Sequence, residues 1–153
     1  MPRMNNTTSS TILRLLRAQA FLESRFGAAL GAVHGLSVNE MQLLLHLDSA
    51  AGGRLRRVDL AERLHLSQSS ITRMVAPMEK IGLVTREADA RDARVGYVVL
   101  SPAGRRRVRE AMKTFAQLSD EVFADRWSTQ DVRTLGSLLG RLTAALPGQV
   151  AIG

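Results

Sequence analysis

The sequence contains no cysteine. That excludes disulfides, thiolate metal sites and thiol-based redox sensing together, and it fits a reducing compartment. No apolar run approaches the roughly 18 residues that a membrane helix needs. The opening stretch "MPRMNNTTSS" lacks the apolar core of a secretory signal. The chain is therefore expected to be soluble and cytoplasmic, with no membrane partner. Histidine is scarce. His34, His46 and His65 lie 12 and 19 residues apart, which is no short metal-ligand pattern. His46 and His65 each stand beside leucines, so they are expected at the edge of the core. Ser67, Ser69 and Ser70 sit in no nucleophile motif of the G-x-S-x-G kind. The glycines of "GAALGAVHG" have no strand–loop–helix setting for phosphate. No catalytic residue, metal or cofactor is expected.

What the sequence does contain is concentrated charge. The 153 residues carry 21 Lys and Arg against 14 Asp and Glu, a net +7. Between Arg54 and Arg109 stand thirteen basic and six acidic residues, so the whole excess lies in that segment and the remainder is neutral. A local positive field is the footprint of a polyanion, most often nucleic acid. Apolar residues make up 45% of the chain, enough for a folded domain spanning 1–153.

Periodicity supplies the elements. "TTSS" offers N-cap hydroxyls ahead of a helix of about six turns, with Ile12, Leu16, Leu22, Phe26 and Leu30 at helical spacing. Ser37 and Glu40 form a capping box for a second helix. After the loop "AAGGRLR", Leu55–Arg57 suits a short strand. "VDLAERLHL" and the helix capped by Ser67 are separated by only two or three residues. That is helix–tight turn–helix, the unit that lays its second helix in a DNA major groove. "LVTRE" and "VGYVVLS" read as a hairpin joined by "ADARDAR". Ser101 then caps a helix with Pro102 at its first position and Val108, Met112, Phe115, Leu118 and Val122 apolar. Ser128 and Asp131 form a capping box for a last helix carrying Val132, Leu135, Leu139, Leu142 and Leu146, followed by a tail. The class is mainly α with a small β-hairpin (α+β).

On the Ser67 helix, Ile71, Val75 and Met78 form an inward stripe. Ser69, Thr72, Arg73 and Ala76 face the other way, with Gln68 and Ser70 at the N-terminal end. Gln suits adenine, Arg suits guanine, and Ser and Thr suit either base edges or phosphate. Pro77 lacks the N–H that would reach the Arg73 carbonyl, so a kink or local widening is expected there. The hairpin tip carries Arg91 and Arg94, each two residues after an aspartate (Asp89 and Asp92). A ribbon beside a recognition helix can set an arginine in the neighbouring minor groove, where the narrow walls concentrate negative potential. An aspartate at that spacing can aim the guanidinium. The first and last helices have apolar stripes and no excess charge, which suits interlocking between two chains.

"LSQSSITRMVAPMEKIGLVTR" resembles the helix-turn-helix core of the MarR family of bacterial transcription regulators. "DARVGYVVLSPAG" is similar to that family's wing, and "LAERL" to its preceding helix. Two positions depart from the family pattern: Pro77 stands where a polar residue is usual, and Met78 where leucine is usual. The resemblance implies a winged helix-turn-helix part at 55–100. It implies dimerisation helices at 10–35 and 102–146, and a homodimer on palindromic double-stranded DNA. A small aromatic or phenolic acid would relieve repression. Carried over by position, Ser67, Gln68, Ser69, Ser70, Thr72 and Arg73 match the recognition segment and Asp92 and Arg94 the wing pair; Arg86 and Arg91 of the hairpin join them as DNA-binding candidates. The absence of cysteine argues against the peroxide-sensing branch of the family that depends on a reactive cysteine. An effector cleft between the helical layer and the winged part would draw on His34, Met41 and His46, with Arg14 or Arg17 for a carboxylate. The same residues also suit an architectural or protein-binding winged helix module with no small-molecule effector.

Overall fold

The computed structural model describes residues 6–144. Helix α1 spans Thr7–His34, 28 residues and nearly eight turns rather than six. It starts earlier than the expected "TTSS" caps, because Asn6 caps it: the Asn6 Oδ1 accepts the Thr8 N–H at 3.1 Å. Thr7–Ser10 are its first turn. It stops at Gly35, whose φ of +64° lets the chain turn left-handed, with the Leu36 N–H closing on the Leu30 carbonyl at 3.3 Å. Helix α2 (Val38–Ser49) begins with the Ser37–Glu40 capping box in place.

A short 3₁₀ turn leads into β1 (Arg54–Arg56), one residue earlier than the expected strand because Arg57 already begins α3 (Arg57–Leu64). Helix α4 runs Gln68–Lys80, capped by Ser67. It is one helix through Pro77. The proline ring lies on the exposed side, where the Arg73 carbonyl it leaves unbonded can face water. Strands β2 (Val84–Ala88) and β3 (Gly96–Leu100) form the hairpin, and β1 pairs with the outer edge of β3, giving an antiparallel sheet in the order β1-β3-β2. The register sets Arg56 opposite Tyr97 and Glu87 opposite Tyr97 on its other side.

Helix α5 (Pro102–Phe123) is capped by Ser101, and α6 (Thr129–Thr143) by the Ser128–Asp131 capping box. Leu146 and the tail lie outside the described residues. Leu30, Leu43, Leu44, Leu47, Leu60, Ile71, Val75, Leu83, Val84, Val98 and Val108 meet in one core drawn from α1 through α5. Asp48 at the end of α2 reaches Arg105 (3.3 Å) and Arg109 (3.8 Å), fastening α5 across the core. The apolar stripe of α1 divides: Phe26 and Leu30 are buried, whereas Ile12, Leu16 and Leu22 face outward. None of α6 is buried, and Leu138, Leu139 and Leu142 are exposed.

Candidate nucleic-acid interface

The turn between α3 and α4 is tight because His65 adopts a left-handed φ of +53° and the Leu66 N–H returns to the Ala61 carbonyl at 2.9 Å. Ile71, Val75 and Met78 anchor α4 in the core. The outward residues then separate by what they are free to do. The Ser67 hydroxyl accepts the Ser70 N–H (3.1 Å) and donates to Ser70 Oγ (3.0 Å). The Ser70 hydroxyl in turn accepts Arg73 Nη2 (3.2 Å). Thr72 donates its hydroxyl to the Gln68 carbonyl (3.1 Å) and accepts Arg57 Nη1 (3.2 Å). Gln68, Ser69 and Arg73 remain exposed on the helix face. The other three hydroxyls hold the helix start in shape.

At the hairpin tip the two aspartates have different tasks. Asp92 holds the Arg94 guanidinium as expected, with Oδ1 to Nε at 3.1 Å and Oδ2 to Nη2 at 3.4 Å, and also accepts the Arg94 N–H at 3.0 Å. The Arg94 side chain is 92% exposed, so it is aimed but not covered. Asp89 does not hold the Arg91 guanidinium. Its Oδ1 accepts the backbone N–H groups of Arg91 (2.8 Å) and Asp92 (3.1 Å), and its Oδ2 accepts the Tyr97 hydroxyl (3.2 Å). An aspartate at that spacing meets the nearer backbone donors first. Those two backbone bonds are the largest reason its pKa lies below the usual carboxylate value. Tyr97 is itself covered by Arg54, whose guanidinium carbon stands 4.0 Å from the ring centre. The tip is thus built on a short chain of contacts reaching back to β1. Arg86 pairs with Glu79, near the far end of α4 and about 16 Å along the helix from Gln68 at 1.5 Å per residue.

Residues 34–95, from the end of α1 through the hairpin tip, match the model of the MarR family. The HTH-type transcriptional repressor YetL of Bacillus subtilis is 28% identical over 115 residues, which are 73% of this chain and 69% of YetL. The MarR family transcriptional regulator AbsC of Streptomyces coelicolor superposes with a TM-score of 0.81 at 26% identity, over 96% of this chain and 99% of AbsC. Sco3205 of the same organism, a MarR family regulator solved in complex with DNA, has a TM-score of 0.82 at 24% identity, over 93% of this chain and 89% of its own.

The chain is thus similar to MarR family regulators in sequence over 34–95 and in fold over nearly its whole length.

Its six helices and small three-stranded antiparallel sheet are the fold of the MarR family regulators AbsC and Sco3205. Arg56 and Arg57 stood outside the candidate residues that the sequence suggests. Together with Val58, Gln68, Arg94, Val95 and Gly96 they line a cleft of about 140 Å³ between the start of α3, the start of α4 and the wing. The run "RLRR" at 54–57 was the available signal, but its side chains could not be placed against α4 and the wing without the fold. The proposed effector residues do not gather. Met41 is 2% exposed and belongs to the core. His46 is half-buried on α2, and burial, with Arg63 nearby, pushes its pKa down. Arg14 and Arg17 are exposed on α1, some 26 Å or more along the helix from His34, too far to share a ligand with it in one chain. His34 alone borders an open hollow of about 580 Å³, where Arg106, Arg107 and Glu110 are its polar neighbours. Its Nε2 lies 2.7 Å from the Thr114 hydroxyl, and its carbonyl accepts Arg107 Nη1 at 2.7 Å.

Proposed function

We propose that this protein is a homodimeric repressor of transcription that reads a palindromic operator and is released by a small aromatic or phenolic acid. The observation that carries the DNA reading is that Gln68 at the start of α4 and Arg94 of the wing border one cleft, inside the segment holding all the excess positive charge. On this reading residues 55–100 form the DNA-binding part, and 10–35 and 102–146 the dimer layer. Support for the dimer comes from Ile12, Leu16, Leu138, Leu139 and Leu142, which stand uncovered on α1 and α6. Among the described residues no helix is long and apolar enough to cross a membrane. Two-fold symmetry asks for half-sites about 10 base pairs apart, and the DNA flanking its coding region is the first place to look.

The test is titration of that duplex and a scrambled one at fixed salt. A specific-to-nonspecific ratio on the order of 10³ or more supports the regulator. Equal affinity for both would make it an architectural module instead. The wing and the helix then divide the work. Arg94→Ala is expected to weaken binding on most sequences and to shrink the salt slope by about one unit. Gln68→Ala is expected to relax preference at one base position, at about 1–3 kcal/mol. Asp92→Ala should also weaken binding although it removes a negative charge, because Asp92 aims Arg94. Tighter binding by a folded Asp92→Ala protein would defeat that role.

For the effector, the hollow beside His34 offers two arginines and a glutamate around an apolar patch that includes Val33 and Ala103. Arg106 and Arg107 take the carboxylate role in place of Arg14 and Arg17. Calorimetry with salicylate should show heat, and salicylate should lower DNA affinity. Neither change would remove the effector from the proposal.

A further inference from the structure

Arg57 is a partly buried cation in an unusual position. Among the described residues Arg56 has Asp59 (3.0 Å) and Arg94 has Asp92 (3.1 Å), whereas Arg57 forms no ion pair and donates only to the Thr72 hydroxyl (3.2 Å). The guanidinium lies beside the start of β3. A Cβ on Gly96 would fall 2.9 Å from Arg57 Nε and 3.1 Å from Nη2, so a side chain there would push the guanidinium aside. Thr72 belongs to the recognition helix and Gly96 to the wing, and Arg57 therefore spans the two. The cleft it lines, about 140 Å³, is below the roughly 300–1,000 Å³ of small-molecule sites. It holds the volume of a few waters, which suits one tetrahedral oxyanion.

We propose that this cleft binds a single phosphate group, that of the DNA backbone between the major-groove and minor-groove contacts, with Arg57 as the positioning residue that locks wing and recognition helix to the same phosphate. The inference rests on the DNA-binding reading above. Arg57 is held in place before the anion arrives, so little side-chain freedom is lost on binding. The phosphate supplies the counter-charge that the protein does not, through charge-assisted hydrogen bonds. Arg56 and Arg94 flank the cleft, each paired with an aspartate of its own.

The test uses the full chain and a labelled 20-base-pair duplex of arbitrary sequence, titrated over a salt series. A phosphate contact acts on every sequence, so no operator is required. Arg57→Ala is expected to bind about tenfold more weakly or worse, with the salt slope smaller by about one. Gly96→Ala leaves net charge unchanged and should still weaken binding several-fold, by pushing the guanidinium out of the cleft. Arg57→Lys should recover the salt slope but not the full affinity, since an ammonium cannot bond Thr72 and phosphate in one plane. Arg14→Ala, exposed on α1, controls for charge alone and should bind like the parent. Thermal melting checks that each variant folds, and if Arg57→Ala does not, Gly96→Ala and Arg57→Lys decide. A folded Arg57→Ala with parental affinity and slope overturns the inference, as does Gly96→Ala binding like the parent. If inorganic phosphate at millimolar concentration raises the melting temperature of the parent but not of Arg57→Ala, while both bind DNA equally, the cleft takes a free anion and the DNA-phosphate role is wrong. A parent that binds no duplex at low salt defeats the DNA-binding reading itself, which is distinguishable from parental binding by Arg57→Ala.

Discussion

Gly104→Ala is expected to destabilise the fold by about 3 kcal/mol, the upper end of what overpacking usually costs. Gly104 is in the first turn of α5, where that helix crosses the end of α4 and the start of β2. A Cβ there would lie 2.1 Å from the Leu83 carbonyl oxygen and 2.8 Å from Leu100 Cδ1. The first of these is backbone, and it is already held: the Leu83 carbonyl accepts the Ser101 N–H (3.1 Å) and the Ser101 hydroxyl (2.9 Å). No rotamer change relieves the contact, so α5 must move off the winged part. Val108 and Ala111, one and two turns further along, would lose their packing with it. Urea unfolding should show a lower midpoint with the slope unchanged. A variant within about 0.5 kcal/mol of the parent, the range of ordinary surface substitutions, would show that the crossing is looser than the geometry requires.

Replacing Leu138 and Leu142 together by glutamate is expected to give a folded monomer whose affinity for a palindromic operator falls about 100-fold or more. The two leucines are four apart on one face of α6 and are 50% and 56% exposed, with Leu139 beside them. Burying a leucine contributes roughly 1.5–3 kcal/mol, and two-fold symmetry doubles the count. Four buried carboxylates would reverse that gain. The core does not suffer, because α6 contributes no buried residue to it. A monomer then engages one half-site at a time and loses the effective concentration of the second, worth 10²–10⁴ in avidity. Sedimentation at micromolar concentration should show the change of mass. A double variant that stays dimeric would move the interface elsewhere and withdraw the role proposed for the C-terminal helix.

Local order was well written in the sequence. The capping boxes at Ser37–Glu40 and Ser128–Asp131, the Ser67 and Ser101 caps, and the inward stripe Ile71, Val75, Met78 need only helix geometry and neighbours three or four residues away. Where local reading failed, two neighbours competed for one task. Asn6 and the hydroxyls after it are all good N-caps, and only the start of the helix separates them. Asp89 and Asp92 share a spacing to the next arginine, yet one bonds backbone and the other a guanidinium. Pro77 stands inside α4, which runs on to Lys80 with Val75 and Met78 buried on either side of it.

The sequence by itself determined the order of elements, the helix-turn-helix with its hairpin, and the placement of all excess charge on that segment. Each depends on composition or on spacings of a few residues, which the chain carries wherever it folds. Tertiary structure alone decided which polar groups are free and which are spent. Thr72 became a holder of Arg57, Met41 went into the core, and Arg14 and Arg17 were left far along α1 from His34. It also brought Arg57, fifteen residues before Thr72 and 39 before Gly96, into contact with both. Distances across the core follow from how helices cross and strands pair, and no local pattern encodes them.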